Sequence, residues 1–229
     1  VSPTYARAIQ PAALGCGLEG ILRALSRRLV GIRNWVDYRE WNPETDLHLA
    51  RTFSASSLLG KSHNKTEIRK TFGLERDKDA PLAAMVSRLA SHKGIDLLLG
   101  AMEQVLALGA QVVILGAGEP RFEERVAELP GLYPGRVGAR VGFDIPLSHL
   151  ILAGADMLLV PSRYEPCGLT HLYGMRYGTV PIARATGGLA DTVHDVGEDP
   201  AGRLSNGFLF SEATPAALTA AVGRAVDLY

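Results

Sequence analysis

Arg88 and Lys93 flank the turn Ser87-Arg88-Leu89-Ala90-Ser91-His92-Lys93-Gly94. A guanidinium forks two oxygens and an ammonium acts as a point charge, so the pair suits a diphosphate; solvated cations are also common in such loops. Glu165 lies in Val160-Pro161-Ser162-Arg163-Tyr164-Glu165-Pro166-Cys167-Gly168-Leu169-Thr170, just before the amides of Gly168, Leu169 and Thr170. A carboxylate there could face a developing cation, hydrogen-bond sugar hydroxyls or cap the following helix. In Leu115-Gly116-Ala117-Gly118-Glu119-Pro120, Gly116 and Gly118 permit close backbone approach and Pro120 suits a helix start. In Arg184-Ala185-Thr186-Gly187-Gly188-Leu189-Ala190-Asp191, the stretch Thr186, Gly187 and Gly188 could form a nest of N–H donors, or a turn capped by Thr186 or Asp191.

These loops have a use in common only if one scaffold gathers them. From Pro81 onward, short apolar runs at 82–87, 111–116, 136–142, 156–161, 179–184 and a weaker 207–210 alternate with helical stretches. The helical stretches are 93–108, 120–129, 146–153, 168–177, 189–195 and 215–229. Continuous apolar strands separated by helices predict a parallel sheet covered on both faces, an α/β doubly wound, Rossmann-like fold. Ligands of such sheets lie beyond the carboxyl ends of the strands, and all four loops leave those ends. Residues 1–80 are less regular, with an Arg-rich amphipathic helix predicted over 18–29 and another over 65–72 that stops at Gly73.

Composition removes several classes. The 229 residues hold 24 basic and 24 acidic side chains, so nucleic acid or an acidic membrane is not the expected partner. Two cysteines make no disulfide scaffold and fit a reducing compartment. No apolar run approaches the roughly 20 residues of a membrane helix. Asp77-Lys78-Asp79 resembles an aspartate pair for a metal, but it precedes a strand and reads as a solvated turn. The six histidines show no ligand spacing, and most are expected at the surface; His171, in the first turn after Glu165, is the exception. Cys167 is near enough to be reactive, with packing the more ordinary role.

The Ser162–Thr170 stretch, Tyr173-Gly174, Tyr177-Gly178-Thr179 and Thr186-Gly187-Gly188-Leu189-Ala190-Asp191-Thr192-Val193 resemble bacterial glycogen synthase and plant starch synthase. The likeness extends to Val1-Ser2-Pro3-Thr4-Tyr5-Ala6-Arg7, Gly17-Leu18-Glu19-Gly20, Asn42-Pro43-Glu44-Thr45-Asp46 and Ser87-Arg88-Leu89 with Lys93-Gly94, nearly the whole chain. The resemblance implies a GT-B architecture, two Rossmann-like domains facing a cleft. Residues 1–35 would be the tail of a missing N-terminal domain plus the interdomain linker, and 36–229 the nucleotide-sugar-binding domain. The implied activity is transfer of glucose from ADP-glucose to the non-reducing end of an α-1,4-glucan, with retention.

The same resemblance assigns roles. Arg88 and Lys93 would neutralise the ADP diphosphate, and Glu165 would sit by the donor glucose and face its oxocarbenium-like charge. The backbone of Cys167, Gly168, Leu169 and Thr170 would hold sugar hydroxyls and phosphate. Asn34 would touch the donor side of the cleft and Phe143 would stack near the adenine, where a tyrosine is frequent. His171 departs from the usual glutamine, and Trp35 from the usual glycine. No metal and no cofactor is expected beyond the donor ADP-glucose, and the acceptor surface would lie on the missing domain. The cytoplasm, or a plastid in a plant or alga, is the expected compartment. One alternative is a GT-B transferase using a UDP- or GDP-sugar, many of which carry a second Glu eight residues after the first; Tyr173 stands there. Another is a nucleotide-binding module inactive by itself.

Overall fold

The computed structural model describes residues 1–197 and 204–229. Six strands, β1 (Leu82–Val86), β2 (Gln111–Gly116), β3 (Val137–Val141), β4 (Met157–Val160), β5 (Val180–Arg184) and β6 (Phe208–Phe210), form one sheet. All are parallel, in the order β3-β2-β1-β4-β5-β6, so the doubly wound expectation holds. The chain order reverses between β1 and β4, and there a crevice must open.

Ten α-helices accompany the strands among the described residues: α1 (Pro3–Ala8), α2 (Ala12–Gly15), α3 (Glu19–Ala24), α4 (Leu59–Phe72), α5 (Ile95–Ala107), α6 (Pro120–Leu132), α7 (Ile145–Gly154), α8 (Thr170–Arg176), α9 (Gly187–Ala190) and α10 (Pro215–Val226). Alternation along the strands sorts them into two layers. Ala83, Met85, Val112, Ile114, Met157 and Leu159 face α5, α6 and α10, where Leu98, Met102, Val126, Leu218 and Val222 complete one core. Leu82, Ala84, Val113, Leu115 and Leu158 face the other way, onto Ile68 of α4 and Ile151 and Leu152 of α7. α5, following β1, and α8, following β4, therefore leave for opposite faces of the sheet.

Two predicted helices are shorter. The helix expected over 18–29 breaks into α3 and a 3-10 turn, Ser26–Arg28, and neither buries a residue. Leu18, Ile21 and Leu25 stay exposed; a helix this short without a packing partner has little to hold it. The helix expected over 189–195 ends as α9, because the Asp191 carboxylate is taken by the Thr4 backbone N–H (2.9 Å) and hydroxyl. Conversely, α4 begins before the predicted 65, and α5 begins after a 3-10 turn, Ser91–Lys93.

A polar knot fastens the irregular stretch before α4. Asp46 Oδ2 accepts from Tyr177 Oη (2.5 Å) and lies 2.7 Å from His149 Nδ1, all three buried. Burial alone would raise the Asp46 carboxyl, but hydrogen bonds from Tyr177, the His48 backbone and His149 hold it below its ordinary value. Trp41 is sandwiched between His149 and Tyr173, each ring 3.9 Å away. His149 thus departs from the surface role expected for most histidines. The Asp77 turn is solvated as expected, its side chain accepting from the N–H groups of Asp79 and Ala80.

Candidate active site

The loops after β1 and β4 face each other across the crevice and are stitched together. Arg163 N donates to His92 O (2.8 Å), and Arg163 Nη1 donates to Ser91 O (2.7 Å). The Arg163 guanidinium also forks onto both carboxylate oxygens of Asp96, in the first turn of α5, at 2.7 Å each. Those hydrogen bonds hold the Asp96 carboxyl below its usual range, against the opposing effect of burial. From β5, Arg184 Nε donates to Ser162 O (2.8 Å) and Nη2 to Arg163 O.

Held by these braces, Lys93 Nζ lies 2.6 Å from Glu165 Oε2. Ser162 Oγ donates to the same oxygen at 3.1 Å. Glu165 is buried and Lys93 keeps about a fifth of its side chain accessible. Glu165 does not cap α8, which no side chain caps. A hollow of about 50 Å³ opens here, lined by Ser87, Lys93, Ser162, Glu165, Gly168 and His171 among others.

The remaining expected residues divide. Leu169 and Thr170 line the same hollow, with Gly168 held at φ 75°, a conformation that favours glycine. Cys167 is buried beside it; its Sγ accepts from Asn34 N at 3.2 Å, and the two line a neighbouring groove with Trp35. Arg88 is not in the hollow: exposed on the same loop as Lys93, its Nη2 lies 3.0 Å from His92 Nε2, and His92 stacks on Tyr164. Phe143 is 87% exposed after β3.

The glycines do something different from what their spacing suggested. A Cβ on Gly116 or Gly118 would collide with the carbonyls of Ser87 and Leu89, and one on Gly187 or Gly188 with those of Glu165 and Cys167. Close approach is real, but to the chain's own backbone. The Gly118 N–H goes to Glu123 (2.6 Å) and the Gly188 N–H to Glu165 O (2.9 Å). The expected nest at Thr186-Gly187-Gly188 therefore props up the Glu165 loop, with Thr186 preceding α9 and making no side-chain cap.

Arg163, Asp96 and Arg184 act as braces that no motif or spacing in the sequence marks. Nor does the sequence mark the docking of α1 here: Ser2 N donates to Pro166 O (2.8 Å), and Thr4 binds Asp191. Among the described residues no three His, Cys, Asp or Glu side chains gather as a metal set, and no helix is long and apolar enough to cross a membrane.

The model of a known family, glycosyl transferases group 1, matches residues 65–228. This chain belongs to that family. It is 48% identical over 231 residues to glycogen synthase of Paramagnetospirillum magneticum and 49% identical over 230 to that of Aromatoleum aromaticum. All of this chain is covered in each case, but only 47% of each relative, so the chain spans about half their length. The catalytic domain of starch synthase IV from Arabidopsis thaliana, solved bound to ADP and acarbose, superposes with TM-score 0.94 at 38% identity. It covers 100% of this chain and 48% of the plant one. The sheet of this chain is that of the C-terminal, Rossmann-like domain of a GT-B transferase.

Proposed function

We propose that this chain is the donor-binding half of a retaining glucosyltransferase of the glycogen and starch synthase kind. In this reading it holds ADP-glucose while glucose passes to the non-reducing end of an α-1,4-glucan. The Lys93–Glu165 pair at the reversal point carries the reading, since it sets a cation for a diphosphate beside a carboxylate for a sugar. As the bond from C1 to the diphosphate breaks, negative charge grows on phosphate and positive charge on the hexose. Lys93 offsets the first, Glu165 faces the second, and Arg88 adds positive charge from its exposed position on the same loop as Lys93. These groups stand in place before reaction and need little reorganisation. The reading assigns the positive charge to these side chains and asks for no cofactor.

Residues 1–35 serve in this reading as tail and linker to a second domain, which supplies the acceptor surface and closes the cleft. The exposed apolar side chains Leu18, Ile21, Val30, Ile32 and Trp35 agree with a covered surface there. A UDP- or GDP-sugar enzyme is disfavoured because Tyr173, where such enzymes often place a second Glu, is stacked on Trp41.

Titration with ADP against UDP, followed by glucan elongation assays on this chain alone and with an N-terminal half added, tests the reading. Tighter ADP binding and elongation only in the completed protein are expected. Binding of neither nucleotide would overturn it, and ADP binding without elongation in the completed protein would leave a binding module.

A further inference from the structure

His171 is fully buried in the first turn of α8 and lines the hollow with Lys93 and Glu165. Its Nε2 lies 2.7 Å from Thr192 Oγ1. The single hydroxyl proton of Thr192 is already committed to Gly188 O, at 2.7 Å. The hydrogen in the His171–Thr192 contact must therefore come from the ring, which puts the imidazole proton on Nε2. Nδ1 is left as a bare lone pair, and no group among the described residues donates to it. Burial, then the Lys93 ammonium, hold this imidazole at about 4, so the lone pair persists at neutral pH.

A buried acceptor without a donor is costly, which makes an incoming donor favourable. The hollow, at about 50 Å³, takes one or two water-sized groups and not a hexose ring. What fits is one hydroxyl or hydroxymethyl arm; Nδ1 lies against Gly168, which lines the hollow, and is closed to solvent, so the arm reaches it with a small shift of that loop. Such a group would also find the opposite polarity, because Lys93 spends one of its three N–H bonds on Glu165.

We propose that His171 is a specificity residue of the donor site, its Nδ1 accepting a hydrogen bond from one hydroxyl arm of the transferred hexose beside Glu165. The proposal rests on the nucleotide-sugar reading above. A glutamine at this position would keep both functions, its amide N–H for Thr192 and its oxygen for the hollow, whereas phenylalanine keeps neither.

The test compares the full-length wild-type protein with His171→Phe and His171→Gln, titrated with ADP and ADP-glucose and assayed with ADP-glucose lacking each hydroxyl in turn. Expected for His171→Phe are ADP affinity within twofold of wild type and ADP-glucose use weakened about tenfold. One deoxy donor should be penalised in wild type and in His171→Gln, but not in His171→Phe. Equal weakening of ADP and ADP-glucose, or a deoxy penalty that survives in His171→Phe, overturns the proposal. Should His171→Phe not fold, loss of the wild-type deoxy penalties in a His171→Leu protein serves instead, and absence of any penalty in wild type refutes it. Failure of the wild-type protein to bind ADP-glucose at all is a different result: it removes the functional reading itself, and this proposal with it.

Discussion

Lys93 Nζ and Glu165 Oε2 meet at 2.6 Å although 72 residues separate them in the chain. Their strands, β1 and β4, are neighbours in the sheet, and the loops beyond them are tied by Arg163.

That pair sets the first expectation. In the full-length protein, Lys93→Ala and Glu165→Ala should each lower kcat for transfer from ADP-glucose by about a hundred- to a thousandfold. Arg88→Ala, outside the hollow, should cost no more than about fivefold by loss of one screened charge contact. Initial-rate measurements decide; similar losses for all three would mean Arg88 moves fully into the site.

The Arg163–Asp96 fork is a brace whose effect should show in rate more than in stability. Both side chains are about a third exposed, so Asp96→Asn should cost only about 1 kcal/mol in urea unfolding. Turnover should nevertheless fall about tenfold, since misplacing the Glu165 loop by a fraction of an ångström weakens catalysis. Arg163→Lys should not restore it, because an ammonium cannot fork.

Gly188→Ala should be severe. The new methyl meets the Cys167 carbonyl, so the Glu165 loop must shift, and both melting temperature and activity should fall. Gly178→Ala is the control: φ is 70° but nothing lies near, so left-handed strain of about 1–2 kcal/mol is the whole effect. Equal activity in the two variants would show that the loop tolerates displacement.

His171 should make the fold acid-sensitive. Its imidazole titrates at about 4 in the folded chain, through burial and then Lys93, against 6.5 as the ordinary value. The unfolded chain therefore takes up the proton first. The stabilisation is complete above about pH 6.5, declines as pH falls, and is lost by about pH 4, on the order of 3 kcal/mol in all. Denaturant unfolding at several pH values should show this slope in wild type and a flatter one in His171→Gln.

The strands were legible because buried parallel strands read as unbroken apolar runs, and those runs fall within a residue or two of the observed ends. Glu165 and Lys93 were legible because topology alone carries strand-end loops to one edge. The glycines misled for a physical reason: a missing Cβ signals that something comes close without saying what, and here it is the Ser87–Leu89 and Glu165–Cys167 backbone. Arg163 with Asp96, and Asp46 with His149, were illegible because each pair joins distant segments with no periodicity linking them. The helix expected over 18–29 failed because an apolar stripe predicts a helix only where it has a surface to cover.

The chain leaves β1 toward one layer and β4 toward the other, so the opening between them is a product of wiring and not of side-chain size. Side chains lining it can accordingly change without the gap closing, so long as Gly168 and Gly188, which set the loop's path, are kept. A scaffold of this kind invites redesign of what it binds through substitutions at the rim, with the sheet beneath left untouched.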